Sequence, residues 1–165
     1  MTVKTLLLLR HAKSSWKYSD LSDHDRPLNN RGRRDAQLMG ELLREEGIVP
    51  DLIISSSAKR ALDTAEAVAD SSGYGSEIIS TRLLYHADVD DYIEVLKSIE
   101  NNPDIIMFIS HNPGLEEILS TLTGEFEWLP TAALAKIELP VFHWNEIEYD
   151  TEGEMVDLWL PRELK

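Results

Sequence analysis

Short apolar runs alternate with amphipathic stretches along the 165 residues of the chain. Runs of alternating or continuous apolar residues predict strands, and apolar residues repeating every three or four positions predict helices with one packed face. The pattern predicts strands at residues 4–9, 52–54, 77–80, 105–109, 133–139 and 155–160. It predicts helices at residues 31–46, 59–71, 91–101 and 113–122, the last of them capped by Asn112.

This alternation of strands and helices indicates an α/β fold, a three-layer sandwich in which helices cover both faces of a mostly parallel central sheet. Turn residues around Gly153 predict a hairpin between the last two strands, which breaks the parallel pattern. We interpret residues 1–165 as one domain, because no linker, repeat or low-complexity tract interrupts the pattern. Open parallel sheets bind ligands beyond the carboxyl ends of their strands, so a site is expected there.

The charge is unevenly distributed along the chain, although the net charge is −14. Residues 1–60 carry 11 Lys and Arg against 8 Asp and Glu, whereas residues 61–165 carry 5 against 22. An acidic surface repels nucleic acid but leaves room for a small basic hollow. The longest early apolar run, Leu6 to Leu9, is too short for a secretory core or a membrane span. We therefore expect a soluble cytoplasmic protein with neither nucleic-acid nor membrane partners.

Polar clusters follow three of the predicted strands. They are Arg10 with His11, the stretch "SSSAKR" ending at Arg60, and "ISHNPG" containing His111. In a parallel sheet these ends share one edge, so the two arginines and two histidines are expected to converge. Because an arginine cannot lose its charge to escape burial, Arg10 needs an anion nearby.

Phosphate fits this combination best, because one tetrahedral anion can satisfy two guanidinium groups, two imidazoles and a helix N-terminus together. One imidazole can attack phosphorus while the other groups stabilise the charge on the phosphoryl oxygens. The neighbouring cations are expected to lower the pKa of His11 and keep it neutral for attack, with a backbone carbonyl fixing its tautomer. A bound phosphate dianion would instead favour protonated His111.

The stretches "LLLLRHAKSSW", "DRPLNNRG", "SSSAKRALDTA" and "SHNPG" resemble the histidine phosphatase superfamily, and most closely its small SixA-type branch. The resemblance covers nearly the whole chain and implies a phosphoglycerate-mutase-like fold. It implies that His11 becomes a phosphohistidine, which water then hydrolyses without a metal or other cofactor. The residues that it assigns to phosphate binding are Arg10, Arg60 and His111, with Ser57 and Asn112 as weaker assignments.

One departure from the superfamily pattern concerns the proton donor. Branches that hydrolyse phosphate monoesters carry a carboxylic acid after the third strand, where this chain has Tyr85. Because an imidazole leaving group can be protonated before it departs, this difference favours phosphohistidine as the substrate. Candidate donors are Tyr85, His86 and Asp88, and Asp90 is a further one, although Asp88 or Asp90 is better explained as the cap of the next helix.

The resemblance also implies a partner, namely a phosphorylated protein such as a histidine-phosphotransfer domain of a signalling relay. Two alternatives stay open: a phosphomonoesterase for a small phosphorylated metabolite, and a noncatalytic phosphate-binding module. A zinc hydrolase is disfavoured, because no two histidines have the i, i+4 spacing of a helical metal pair. Arg26 is expected to be a solvated charge and His24 a surface residue.

Overall fold

The computed structural model describes residues 3–164, which form six strands and five α-helices. The strands are β1 (Lys4–Arg10), β2 (Leu52–Ser56), β3 (Ile78–Thr81), β4 (Ile105–Ser110), β5 (Leu134–Leu139) and β6 (Glu154–Trp159). The helices are α1 (Asn30–Glu45), α2 (Lys59–Ser72), α3 (Val89–Lys97), α4 (Gly114–Thr123) and α5 (Pro161–Leu164). All six predicted strands and four predicted helices are present, and α5 is additional.

One sheet contains all six strands in the order β3-β2-β4-β1-β5-β6. The pairings β3–β2, β2–β4 and β4–β1 are parallel, whereas β5 and β6 pair antiparallel to their neighbours. The predicted break in the parallel pattern is confirmed. The predicted hairpin of β5 and β6 is also confirmed, but residues 140–153 join the two strands by a long connection that includes a 3₁₀ turn, Trp144–Glu146.

Side chains of β1 point alternately to the two faces of the sheet and enter two separate cores. Leu6 and Leu8 pack among apolar residues of α3 and α4, whereas Leu7 and Leu9 pack among those of α1 and α2. All four leucines are fully buried. The mostly parallel sheet thus has helices on both faces, which confirms the predicted three-layer α/β fold. No helix within residues 3–164 is long and apolar enough to cross a membrane.

Helix α3 differs most from its prediction, since it occupies residues 89–97 rather than 91–101. It begins earlier because Asp88 caps it: the Asp88 carboxylate accepts from the Asp91 N–H, and the Asp91 carboxylate accepts from the Asp88 N–H. It cannot extend through Asn101 and Asn102, whose φ angles of 63° and 45° belong to the left-handed region.

The start of α1 packs directly on the segment that follows His11. Asn29 caps this helix by accepting a 2.8 Å hydrogen bond from the N–H of Gly32, and its own N–H donates to the Lys13 carbonyl. A Cβ atom at Gly32 would collide with that same Lys13 carbonyl. Position 32 therefore requires a glycine if α1 is to support the loop after His11 this closely.

We expect Gly32→Ala to destabilise the protein by about 1–3 kcal/mol, because the added methyl group must push α1 away from the Lys13 backbone. Urea unfolding followed by circular dichroism measures this change. Gly75→Ala is the matched control, since a Cβ there meets nothing within 4 Å. Equal stability of the two variants would contradict the packing role of Gly32.

Candidate active site

The carboxyl ends of β1, β2 and β4 lie side by side at one edge of the sheet. Arg10 pairs in register with Ser110, and Ser55 pairs with Ile109. The residues that follow these ends, among them His11 and His111, therefore emerge together. The ring centroids of the two histidines lie 5.1 Å apart, although exactly 100 positions separate them in the chain.

His11 is held in one orientation by its own backbone neighbour. Its Nδ1 lies 2.8 Å from the Ala12 carbonyl oxygen, which can only accept a hydrogen bond. The ring proton is therefore on Nδ1, and Nε2 keeps a free lone pair. The N–H of Ala12 donates to the Thr64 hydroxyl of α2, which in turn donates to the Arg60 carbonyl. These bonds fix the loop that carries His11 against α2.

The pKa of His11 is lowered to about 4. Burial is the largest cause, since only 7% of the residue is exposed; the Ala12 hydrogen bond opposes the shift, and the charges of Arg60 and Arg10 add to it. The predicted direction is thus confirmed, but desolvation contributes more than the neighbouring cations. At neutral pH His11 is uncharged and carries an available nitrogen lone pair.

His111 is also neutral in this structure, and its Nε2 lies 2.7 Å from the Ser56 hydroxyl. That hydroxyl also accepts from the Ala58 N–H, and a hydroxyl can either donate to a bare Nε2 or accept from an Nε2–H. Burial lowers the pKa of His111 to about 3, and the neighbouring His11 and Arg60 contribute further. The Nδ1 atom is buried and has no hydrogen-bond partner within residues 3–164.

Arg10 has a protein counter-charge, the buried carboxylate of Glu116 on α4. Burial lowers the pKa of the Arg10 guanidinium, and the charge of Glu116 opposes this shift. One terminal nitrogen of Arg10 donates to the Leu129 carbonyl at 3.0 Å, and the Leu129 N–H donates to Glu116. The Arg10 Nε is buried without a partner among the described residues.

Arg60 is buried, with 5% of its surface exposed. Its two terminal nitrogens donate to Asp23, one to the backbone carbonyl at 2.6 Å and the other to the carboxylate at 3.0 Å. Its Nε is buried and unpartnered in the part of the chain that the structure describes. Arg60 thus resembles Arg10, because the buried Nε–H of each has no hydrogen-bond partner among the described residues.

The two weaker assignments, Ser57 and Asn112, are occupied by protein contacts. The Ser57 hydroxyl lies 2.8 Å from Nε2 of His24. The Asn112 side-chain amide donates to the Leu129 carbonyl at 2.7 Å, so Asn112 supports the same loop as Arg10. The prediction that Asn112 caps α4 is wrong, since the helix begins at Gly114 after Pro113 with no side-chain cap.

The three candidate proton donors differ in their positions. The Tyr85 hydroxyl donates to the Asp23 carboxylate at 2.8 Å, and its ring lies 5.6 Å from that of His111. His86 adopts a φ of 58° and places its ring 4.0 Å from that of Tyr85. Asp88 uses its carboxylate to cap α3, as the alternative explanation proposed, so it is not a free acid in the site.

Three residues of the stretch "DHDR" were misjudged or missed from the sequence. Asp23 contacts Arg60, Arg26 and Tyr85 at once. Arg26 is buried rather than solvated: it donates to the Ser14 hydroxyl and stacks 3.7 Å from the Trp16 ring. His24 faces Ser57 at the site rather than lying apart from it. The signal that could have revealed Asp23 is the need of Arg60 for a fixed counter-charge.

A cluster of three or more histidine or acidic side chains suited to a metal is absent from residues 3–164. The side chains that converge instead are cationic or neutral nitrogen groups. Two of their N–H groups, the Nε–H of Arg10 and that of Arg60, are buried without acceptors among the described residues, and Nδ1 of His111 is buried without a partner there. A buried donor without an acceptor is costly, so this arrangement favours binding of an anion with several oxygens beside His11.

Sequence comparison agrees with this geometry. The model of the histidine phosphatase superfamily (branch 1) matches residues 6–94, more than half of the chain. A relative in Arabidopsis thaliana, the uncharacterized chloroplastic protein At3g52155, is 33% identical over 152 residues, covering 87% of this chain and 70% of that protein. The chain belongs to the histidine phosphatase superfamily, whose members are phosphatases or mutases.

Solved structures place it next to SixA proteins within that superfamily. A protein of Agrobacterium tumefaciens assigned as phosphohistidine phosphatase SixA matches with a TM-score of 0.82 and 26% identity, covering 98% of this chain and all of that one. The protein histidine phosphatase SixA in complex with tungstate matches with a TM-score of 0.84, 24% identity and coverage of 98% and 99%. The predicted resemblance is confirmed. The superfamily match and the Agrobacterium tumefaciens protein support phosphatase activity, whereas the tungstate complex, at 24% identity, shows the shared fold.

We expect the free energy of unfolding to fall by about 2–4 kcal/mol between pH 7 and pH 5, because the unfolded chain binds protons at His11 and His111 near pH 6.5 while the folded protein does not. The two pKa values in the folded protein are about 4 and about 3, so both imidazoles of the folded protein stay neutral between pH 7 and pH 5. Asp23, whose pKa lies below its usual value, adds a loss only below about pH 4.

Urea unfolding at a series of pH values measures the effect. The double variant His11→Asn with His111→Asn should flatten the curve between pH 7 and pH 5. His143→Asn is the control, because His143 is exposed and lies at another part of the fold. An unchanged pH dependence in the double variant would show that these two imidazoles do not titrate as described.

Proposed function

We propose that this protein is a phosphatase in which His11 attacks phosphorus and forms a phosphohistidine intermediate. The observation that carries the proposal is the state of His11: its Nδ1 is tied to the Ala12 carbonyl, and its pKa is lowered to about 4. An imidazole held in this way is a nucleophile at neutral pH, because Nε2 is unprotonated and its direction is fixed.

The groups around His11 are suited to hold the phosphoryl group during transfer. The unpartnered Nε–H groups of Arg10 and Arg60 can donate to phosphoryl oxygens, and so can Nδ1 of His111 when that ring is protonated. A bound dianion would raise the pKa of His111 and favour its protonated form. This arrangement stabilises transferred charge with side chains alone, so the proposed reaction needs no metal or cofactor.

The reaction has two steps. In the first, Nε2 of His11 forms a bond to phosphorus while the bond from phosphorus to the leaving imidazole nitrogen breaks. That nitrogen keeps the electron pair, and a ring already protonated on its other nitrogen leaves as neutral imidazole. In the second, water forms a bond to phosphorus, the bond to Nε2 breaks, and the water proton passes to solvent. Free phosphate and neutral His11 are the products.

We propose protein phosphohistidine as the substrate. The position where a carboxylic acid would protonate an ester oxygen holds Tyr85, and burial together with the hydrogen bond to Asp23 raises the pKa of its hydroxyl. Such a group is a weak donor to an alkoxide, whereas an imidazole leaving group can arrive already protonated. The SixA neighbour described as a protein histidine phosphatase supports the same substrate. The partner would be a protein that displays this side chain, such as a histidine-phosphotransfer domain.

We expect His11→Asn to lower kcat/KM by about three orders of magnitude or more, because the nucleophile is lost while the surrounding pocket remains. Release of inorganic phosphate from phosphorylated protein measures the rate. Rapid acid-free quenching of the wild-type protein with radiolabelled substrate should trap label on His11, and brief acid treatment should remove it. The exposed-site variant His143→Asn is the control and should keep wild-type rates.

Two results would contradict the nucleophile assignment. One is wild-type activity in His11→Asn, and the other is label on a residue other than position 11. Tight binding of phosphorylated protein with neither label nor phosphate release would indicate the noncatalytic phosphate-binding module instead.

The substrate class is tested by comparing phosphohistidine protein with a panel of sugar phosphates and nucleotide monophosphates at equal enzyme concentration. We expect kcat/KM for the phosphohistidine protein to exceed that of every ester by about 100-fold or more. A general acid usually accelerates the reaction by at least this factor, and the esters would lack that acceleration here. Comparable rates for one of the esters would identify a small-molecule phosphomonoesterase, with a functional donor near Tyr85.

A further inference from the structure

Asp23 connects three side chains that reach the candidate site from separate parts of the chain. It lies in the 3₁₀ turn Asp23–Asp25 between β1 and α1. Its carboxylate accepts from Arg60 of α2 at 3.0 Å, from Arg26 at 3.1 Å and from the Tyr85 hydroxyl at 2.8 Å. Its backbone carbonyl accepts a further bond from Arg60 at 2.6 Å.

Asp23 contacts one side of the Arg60 guanidinium group, the side that carries the two terminal nitrogens, and leaves the Nε side without a contact. Both terminal nitrogens donate to Asp23, one to the carbonyl and one to the carboxylate. Of the five N–H donors of this group, the Nε–H is the one on a buried nitrogen that has no partner among residues 3–164. Because a guanidinium group is planar and rigid, fixing two of its nitrogens also fixes the direction of the third.

The segment that carries Asp23 is itself attached to the loop after His11. Arg26 donates to the Ser14 hydroxyl at 2.6 Å and stacks on the ring of Trp16. Partial burial by itself would raise the pKa of Asp23. The hydrogen bonds from Tyr85 and Arg26 and the charge of Arg60 outweigh this effect and hold the pKa of Asp23 well below its usual value. Asp23 is therefore a permanent anion, fixed from several sides.

We propose that Asp23 is a positioning residue that orients Arg60, so that the Nε–H edge of the guanidinium group faces the phosphoryl group. This inference rests on the proposed function for its catalytic consequence. Arg60 needs such a partner because its long side chain would otherwise adopt several rotamers, and misplacing it lowers the rate of phosphoryl transfer.

An opposite role for Asp23 is also chemically reasonable, namely competition with phosphate for Arg60. The two roles predict opposite changes in anion affinity. If Asp23 positions Arg60, the loss of Asp23 weakens anion binding, because the Nε–H of Arg60 is no longer held in a direction that faces the anion. If Asp23 competes, its loss strengthens binding. The unpartnered Nε–H favours positioning, because a donor remains available while Asp23 is bound.

The test is a double-mutant cycle with Asp23→Asn, Arg60→Met and the double variant. Two quantities are measured: the dissociation constant of tungstate by calorimetry, and the single-turnover rate of phosphate release from phosphohistidine protein at high enzyme concentration. We expect Asp23→Asn to weaken tungstate binding and to slow turnover by about 10- to 100-fold each in the wild-type background. In the Arg60→Met background the same change should have less than about a twofold effect.

Asp25→Asn is the matched control, because it removes the same charge from the same turn. Among the described residues the Asp25 carboxylate has one polar partner, the neighbouring His24. This variant should leave both quantities within about twofold of wild type. Thermal unfolding of each variant separates a folding defect from the proposed effect: if Asp23→Asn only loosened the turn, its effect would persist without Arg60.

The outcomes separate this inference from the proposed function. Tighter tungstate binding by Asp23→Asn, or equal effects of that change with and without Arg60, would overturn the positioning role even if the protein is an active phosphatase. A wild-type protein that releases no phosphate but shows the coupling in tungstate binding would contradict the proposed function and retain the positioning role.

Discussion

The parallel pairing of β1, β4 and β2 is the constraint on which the candidate site depends. It places Arg10, Ser56 and Ser110 at one edge, so the residues that follow them must meet there. The leucines of β1 are buried on both faces of the sheet. A shift of β1 by one residue against its neighbours would turn each leucine to the opposite core, so the packing fixes the register of this strand. The packing of the two cores therefore also fixes the geometry of the polar groups.

Burial acts differently on the two kinds of nitrogen group at this edge. Histidine can release its proton, so desolvation leaves His11 and His111 neutral. Arginine keeps its charge, so Arg10 and Arg60 must be compensated by carboxylates, Glu116 for the first and Asp23 for the second. The result is a pair of neutral imidazoles beside two arginines, inside a protein whose net charge is −14. The charges at this edge of the sheet, rather than the net charge of the protein, therefore govern the attraction of an anion to the candidate site.

Much of the fold could be predicted from the sequence, because apolar periodicity directly reflects which side of each element is buried. The polar clusters after β1, β2 and β4 could be found for the same reason, since strand ends are visible in the pattern. Asp23 and Arg26 could not, because they lie in an irregular segment where no periodicity relates sequence position to direction. Their contacts depend on how residues 12–29 fold across the sheet edge, with Gly32 and Asn29 fixing where that segment ends. Similarly, the sequence alone left two roles open for Asp88, a proton donor in the site or the cap of the next helix.

The bond between His11 and the Ala12 carbonyl differs from the other contacts of the site in its origin. Its acceptor belongs to the main chain of the adjacent residue, whereas Arg60, Arg10 and His111 all rely on side chains or loops distant in sequence. A replacement at position 12 would alter a fully buried methyl group but leave that oxygen in the polypeptide. The tautomer of His11 is thus selected by an oxygen that every residue type supplies at position 12, so a substitution there removes no hydrogen-bond acceptor.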